Sequence, residues 1–338
     1  MYLPIRVFVL DLYQVSQICL ILEDCHGLFR LSDDDNGLAR TFSQRSHVFQ
    51  MQISVQFYKK SQKNIVKISI FQYIGQLKYN SNTSQKKMIS ISLVITELFP
   101  NKYGKELRDL LKEYTTNGHN TLGYSKARDK MYDYIYNNPN DQANYCIYTN
   151  SRMPRKYHSN LIGDSSVMNC EHTVPQSFFG KKDPMVSDLH HLRSCWDTVN
   201  GARSSLPFAQ LEDSQVDQYY GNNFSVVNSK PTDAFNWSGL DKTHSFMPRD
   251  AQKGDTARAV AYFYTRYPTE AGAITKTFLS VDDMIIWDEK YEPSEVQHAQ
   301  YLRVVEVQGN KNPYQEERGL VARAYCDMST NYPCSKYQ

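Results

Sequence analysis

Apolar side chains recur at helical spacing through the C-terminal two thirds of the chain. Leu107, Leu110, Leu111 and Tyr114 stand at i, i+3, i+4 and i+7, which places four side chains on one stripe and predicts a core-facing helix ending near Gly118. Ala127, Met131, Tyr134 and Ile135 repeat the spacing behind Ser125, a residue suited to capping, before Asn137, Asn138 and Pro139 stop it. A further helix follows Asp255, with Val260, Phe263, Tyr264 and Tyr267 on its buried face. Residues 145–149 read as a strand. Trp196, Val199 and Ala202 repeat at three-residue steps and predict a short helix over 196–205, stopped by Pro207, with Asn200 and Arg203 sharing its other face. Helices and a few strands interleave irregularly. That pattern predicts an α+β fold rather than a repeating βαβ sheet.

The first hundred residues differ in pattern and in charge. Their apolar runs, such as 7–10 and 18–22, are short and weakly bounded, and they carry neither a repeat nor a group of chemistry-bearing residues. Residues 2–22 are interrupted by Arg6, Asp11, Gln14 and Gln17, too polar for a membrane span and without the order of a signal peptide. Lys86, Lys87 and Met88 precede Ile89, Ile91, Leu93, Val94 and Ile95, the charge-then-apolar order of a short secretory leader. Two expectations follow: an internal start at Met88 behind an over-extended gene model, or an ordinary buried strand. Residues 1–100 hold 11 of the 38 Lys and Arg but only 7 of the 36 Asp and Glu, so the remainder is net acidic. The chain therefore divides into an N-terminal extension at 1–100, weakly structured or a gene-model artefact, a main domain at 101–325 and a tail at 326–338.

Composition narrows the class. With 41% hydrophobic and 22% charged residues, 338 residues supply a sizeable core, which excludes wholesale disorder. A net charge of +2 is too small to draw polyanions non-specifically, so any binding of nucleic acid has to use a local patch. Of the seven cysteines, at 19, 25, 146, 170, 195, 326 and 334, at least one is left without an intrachain partner. Cys326 and Cys334 could close a small loop in an oxidising compartment, and the others read as small buried hydrophobes.

The chemistry-bearing stretch is 169–208. It runs Asn169-Cys170-Glu171-His172-Thr173-Val174-Pro175-Gln176, then Ser187-Asp188-Leu189-His190-His191-Leu192, then Val199-Asn200-Gly201-Ala202-Arg203. Three histidines stand within twenty residues beside Glu171, Asp188, Asp197 and Asn200, an inventory suited to metal-assisted hydrolysis. Glu171 and Asn200 offer hard oxygen ligands that suit Mg²⁺ together with a substrate phosphate. Zinc would draw on Cys170, His172, His190, His191 and Cys195, whose spacing matches no common zinc motif. His172 is the natural general base, since a neutral imidazole can take a proton from an attacking water. Strand neighbours point to opposite faces, so Glu171 and His172 can address one phosphate only at a strand end or turn, for which Pro175 is a plausible stop. Arg203 reads either as a phosphate contact or as a surface salt bridge.

These three motifs, with Pro207-Phe208 behind the last, resemble the bacterial endonuclease I family, non-specific nucleases with a ββα-metal active site. Two further segments are similar: Phe246-Met247-Pro248-Arg249-Asp250 with Lys253-Gly254-Asp255-Thr256-Ala257-Arg258, and Gln308-Gly309-Asn310-Lys311-Asn312-Pro313-Tyr314. The resemblance covers roughly 104–325 and nothing in 1–100. It implies a ββα-metal (His-Me finger) core surrounded by helices, one Mg²⁺ held by Glu171 and Asn200, water activation by His172, and a 5′-phosphate product. It also implies secretion. Some members carry a phosphate-stabilising Arg between the first two motifs; here that stretch holds only Lys181 and Lys182, which leaves Arg203 and Lys182 as the candidate cations. Gln315 also departs from the family pattern, peripherally. Lys253 and Arg258 read either as a phosphate-tracking surface or as solvated charge at a helix entrance. The glycine- and asparagine-containing stretch 308–314 reads as a backbone-shaping loop.

The function expected is a Mg²⁺-dependent, sequence-tolerant endonuclease, a hydrolase acting on DNA and perhaps RNA with no membrane association. A catalytically weak nucleic-acid-binding module and a zinc-dependent hydrolase are the alternatives.

Overall fold

The computed structural model describes residues 97–153 and 167–337 in full, and in residues 1–96 the backbone of seven strands. The chain divides into two units, Met1–Pro100 and Asn101–Gln338. In the first, β1 (Ile5–Val9), β2 (Ile18–Leu22) and β3 (Leu28–Phe29) form one antiparallel sheet. A second antiparallel sheet joins β4 (Arg40–Arg45), β5 (Phe49–Lys60), β6 (Lys63–Ile74) and β7 (Lys86–Ile95). Met88 lies within β7; the side chains of this unit, including those of Cys19 and Cys25, are outside the described residues.

In the second unit α1 (Gly104–Thr116) buries Leu107 and Leu111 of the predicted stripe, with Leu110 and Tyr114 half-buried at its edge and Thr115 buried beside them. Its exit needs glycine: Gly118 and Gly309 both take positive φ, and a Cβ on Gly309 would stand 2.3 Å from the carbonyl oxygen of Gly118. The next helix, α2 (Tyr124–Lys130), starts behind Gly123 rather than Ser125, and Ser125 falls inside its first turn. One π turn, Met131–Ile135, continues it. The wider turn shifts the apolar stripe, so Met131, Tyr132 and Ile135 are buried while Tyr134 is 38% exposed and donates its hydroxyl to Glu306.

The strand expected at 145–149 is shorter. β8 (Asn144–Tyr145) pairs with β9 (Arg152–Met153), after which the chain turns so that the Ile147 amide bonds the Ser194 carbonyl at 3.1 Å. β10 (Met168–His172) then pairs antiparallel with β11 (Leu192–Trp196), with Glu171 opposite Arg193 and Asn169 opposite Cys195. The short helix α3 (Asp197–Arg203) follows directly, close to the predicted 196–205. These three elements make a β-β-α unit. A four-stranded antiparallel sheet comes next, β12 (Gln218–Gly221), β13 (Ser225–Val227), β14 (Ser238–Asp241) and β15 (Ser245–Met247), in the order β13-β12-β14-β15.

The long helix α4 (Asp250–Arg266) lies at the centre of this unit and is buried along almost all its length, packed by α1, α5 (Val281–Lys290) and α7 (Leu320–Tyr325). It begins five residues before the point the apolar spacing suggested, because its first turns bury charged side chains in ion pairs rather than apolar ones. A last long helix, α6 (Glu295–Gln308), opens on a capping box, in which Ser294 and Gln297 satisfy each other's amides. The described sheets are antiparallel and the class is α+β. Cys326 and Cys334 are joined by a disulfide.

Candidate active site

The β-β-α unit positions the residues that the sequence singled out. His172 closes β10, and the chain leaves the strand there, with the Thr173 amide still bonded to the His191 carbonyl at 3.0 Å before a 3-10 turn at Gln176–Phe179. Strand neighbours point to opposite faces, and these two do. The Glu171 carboxylate faces Tyr148 and Arg203, whereas the His172 ring lies against Tyr124, Phe179 and His191.

Glu171 is only 2% exposed. Its Oε1 accepts the Tyr148 hydroxyl at 2.7 Å and lies 3.2 Å from Nη1 of Arg203. Burial raises its pKa, and the Arg203 charge and the Tyr148 hydrogen bond oppose that rise. Arg203, at 1% exposed, has no open face for a substrate. Its Nη1 donates to the His172 carbonyl at 3.1 Å, its Nη2 to the Thr173 carbonyl at 2.8 Å, and its guanidinium stacks 4.4 Å over the Phe208 ring. The sequence placed Arg203 beside Asn200 as a phosphate contact or a surface ion. Instead the last turn of α3 folds back over the end of β10, and Arg203 fastens that end to Glu171. Asn200, one turn earlier, is half-buried, and its carboxamide makes no hydrogen bond to the described residues.

His172 is 4% exposed and its Nε2 lies 3.1 Å from the Val186 carbonyl. A carbonyl can only accept, so Nε2 carries the proton and Nδ1 the lone pair. Nδ1 has no partner among the described residues. Burial pushes the pKa down to about 3, so the ring is neutral at physiological pH.

The neighbouring histidines are engaged differently. Nε2 of His190 meets the Asn310 carbonyl at 3.0 Å and Nε2 of His191 the Met185 carbonyl at 2.7 Å; burial pushes both down to about 4. Asp188 accepts from Tyr262, Tyr267 and Gln308 at 2.9, 2.8 and 2.8 Å. Burial opposes its ionisation, but Arg266 and the nearby histidines outweigh that and hold its carboxyl below the usual range. Gln308 also accepts the Leu189 amide at 2.7 Å, and Asn310 bonds Thr115 and Tyr262. The segment at 308–314 is thus a structural partner of the 187–192 motif. Among the described residues no group of three or more His, Cys, Asp or Glu is placed to hold a metal.

Lysines and arginines outside the unit separate by burial. Lys182 is exposed on the turn after Gly180. Lys253, expected on a phosphate-tracking surface or at a solvated helix entrance, is 3% exposed, paired with Asp250 at 2.8 Å and lying over Trp287 and Tyr291. Arg258 is equally internal, paired with Asp288 at 3.0 Å. Sequence reasoning missed Tyr148 and Tyr124, since an aromatic residue in an apolar stretch reads as core. Only the fold sets one hydroxyl on Glu171 and the other ring against His172.

Fold and site define an α+β protein organised on a β-β-α unit, with a carboxylate, an imidazole and a carboxamide carried on its second residue from the end of a strand, its strand end and its helix. Residues 95–318, more than half of the chain, match the endonuclease I family, and the chain belongs to that family. It is 29% identical to the extracellular ribonuclease of Bacillus subtilis (strain 168) over 175 residues, 51% of this chain and 52% of that protein. The extracellular ribonuclease of Bacillus amyloliquefaciens is 26% identical over 168 residues, 49% of this chain and 50% of that one. The chain spans about half the length of the curated relatives it matches.

Proposed function

We propose that this chain is a Mg²⁺-dependent, sequence-tolerant endonuclease that hydrolyses phosphodiester bonds of DNA and RNA and leaves 5′-phosphates. One observation carries the reading. In a β-β-α unit whose polar atoms are otherwise largely engaged, Nδ1 of His172, Oε2 of Glu171 and the Asn200 carboxamide have no partner among the described residues. Two hard oxygen donors suit Mg²⁺ better than a nitrogen- and sulfur-seeking ion, so Glu171 and Asn200 would hold it. When bound, the ion supplies charge stabilisation at the phosphate and at the departing oxygen.

The protein's own groups do the rest. Nδ1 of His172 takes a proton from the attacking water, while Nε2 keeps its proton and donates it in a hydrogen bond to the Val186 carbonyl, which fixes the ring. The single negative charge of an approaching phosphodiester, growing as water attacks, favours the imidazolium and lifts the pKa from its depressed value as the reaction needs it. A base supplies only about 10² to 10⁴ in rate, and phosphate-ester hydrolysis demands accelerations of about 10¹⁷ or more, so the imidazole alone is insufficient. Arg203 positions Glu171, and Lys182 is the exposed cation for an adjacent phosphate.

Both relatives are extracellular ribonucleases, which favours RNA as a substrate and secretion as the destination. The Cys326–Cys334 disulfide suits an oxidising compartment. No described helix is long and apolar enough to cross a membrane. Incubation with supercoiled plasmid and with RNA, in Mg²⁺ or in EDTA, tests the reading. Cleavage in Mg²⁺ alone is expected; binding without cleavage would favour the non-catalytic module, and cleavage in EDTA would sink the metal requirement.

A further inference from the structure

We propose that Tyr148 is a positioning residue that decides which oxygen of Glu171 faces the metal. The inference rests on Glu171 being a metal ligand. Tyr148 and Arg203 both address Oε1, at 2.7 and 3.2 Å, and leave Oε2 without a partner among the described residues. A carboxylate whose one oxygen holds a hydrogen bond from Tyr148 and an ion-pair contact with Arg203 cannot rotate without giving up both, so its other oxygen is presented in one direction.

The hydroxyl is placed independently of Glu171. Tyr148 is fully buried, and its ring meets Phe246 edge-on with centroids 4.8 Å apart. Its carbonyl accepts the Ser238 hydroxyl at 2.7 Å, and Ser238 in turn accepts the Arg249 amide at 3.0 Å. The preceding residue, Ile147, is held by its amide to Ser194 and by its carbonyl to Arg249 Nε at 2.8 Å. Three elements, β11, β14 and the start of α4, therefore fix this segment before Glu171 is considered. A phenol has a single proton to give, and here it goes to Oε1. A phenol needing only to be satisfied could have used any carbonyl; this one is delivered to the carboxylate next to the catalytic imidazole.

The test uses Mn²⁺ as probe, without substrate, on the full chain, reading free Mn²⁺ by electron paramagnetic resonance. Tyr148→Phe should bind Mn²⁺ about 10-fold more weakly, the effect typical of losing a group that orients a ligand, and its urea midpoint should stay near that of the parent. Glu171→Gln should abolish binding. Wild-type Mn²⁺ affinity in Glu171→Gln overturns the metal-ligand reading and this inference with it. Loss in Glu171→Gln with unchanged affinity in Tyr148→Phe overturns the role of Tyr148 alone. Should Tyr148→Phe not fold, Ser238→Ala loosens the Tyr148 backbone without touching Glu171; a several-fold weakening supports the inference and unchanged affinity overturns it.

A separate observation concerns two buried thiols. Sγ of Cys146 and Sγ of Cys195 lie 3.7 Å apart, both fully buried, with the Trp196 amide donating to Cys146 at 3.1 Å. The third buried thiol, Cys170, lies against Met131 instead. We infer that Cys146 and Cys195 are a second cross-link site, oxidised in the folding chain before burial closes over them. The Cys146 thiolate attacks a small-molecule or protein disulfide and releases one thiolate, the Cys195 thiolate then attacks Cys146 Sγ of the mixed disulfide and displaces the second, and the two electrons leave on the oxidant's two thiols. Denaturation in N-ethylmaleimide without reductant, followed by peptide mapping, should recover a peptide linking 146 to 195 alongside that linking 326 to 334. Alkylation of both Cys146 and Cys195 in material whose Cys326–Cys334 bond is intact would overturn it.

Discussion

Arg203 and Lys182 stand as alternative cations for the substrate in the sequence, and burial separates them. Arg203 is enclosed and paired with Glu171, so Arg203→Ala leaves a buried carboxylate uncompensated and should cost about 3–5 kcal/mol of stability, read as a fall in the urea midpoint. Lys182 is exposed with no such duty. Lys182→Ala should leave stability within about 0.5 kcal/mol and reduce the slope of log affinity against log salt by about 1. An unchanged slope would remove Lys182 from the interface. For His172, replacement by alanine should lower turnover by about 10² to 10⁴ with the circular dichroism spectrum retained; wild-type turnover would end its assignment as the base.

At the scale of elements, legibility follows from what each helix or strand buries. α1 and α3 appear close to where apolar spacing put them, because Leu107, Leu111 and Val199 are fully buried anchors. The start of α4 was hidden because Lys253, Asp255 and Arg258 are internal yet polar, a pattern that reads as solvent until their partners are known. One of those partnerships joins β11 to α4: Arg193 grips Asp255 through Nε and Nη2 at 2.7 and 3.1 Å, with both residues buried. Asp255→Ala should cost about 3–5 kcal/mol by stranding the guanidinium, measured by urea unfolding. A loss below about 1 kcal/mol would mean the pair behaves as a surface bridge.

Across the whole molecule, the histidines make stability depend on pH. His172, His190 and His191 sit at about 3, 4 and 4 when folded, below the ordinary value of 6.5. Each contributes stability in full above the unfolded value and loses it as pH falls through the folded one, since the unfolded chain takes up the proton first. Three such groups give at most about 4 kcal/mol per pH unit between roughly pH 6 and 4. Asp188, also depressed, adds to the loss only in more acid solution. The urea midpoint should therefore drop steeply from pH 7 to pH 5, and a flat profile would show that these rings are not buried neutral.

The sequence by itself determined the class of fold and most of the helical stripes, and it singled out Glu171, His172 and Asn200 as the candidate set, because periodicity and side-chain chemistry are local properties. It also marked Cys326 and Cys334 as a pair close enough along the chain to join. Tertiary structure decided which charges face water and which face each other. Arg203, Lys253 and Arg258 look alike as letters, and only packing, by removing solvent from a guanidinium or an ammonium and supplying a carboxylate in its place, made them struts and left Lys182 outside.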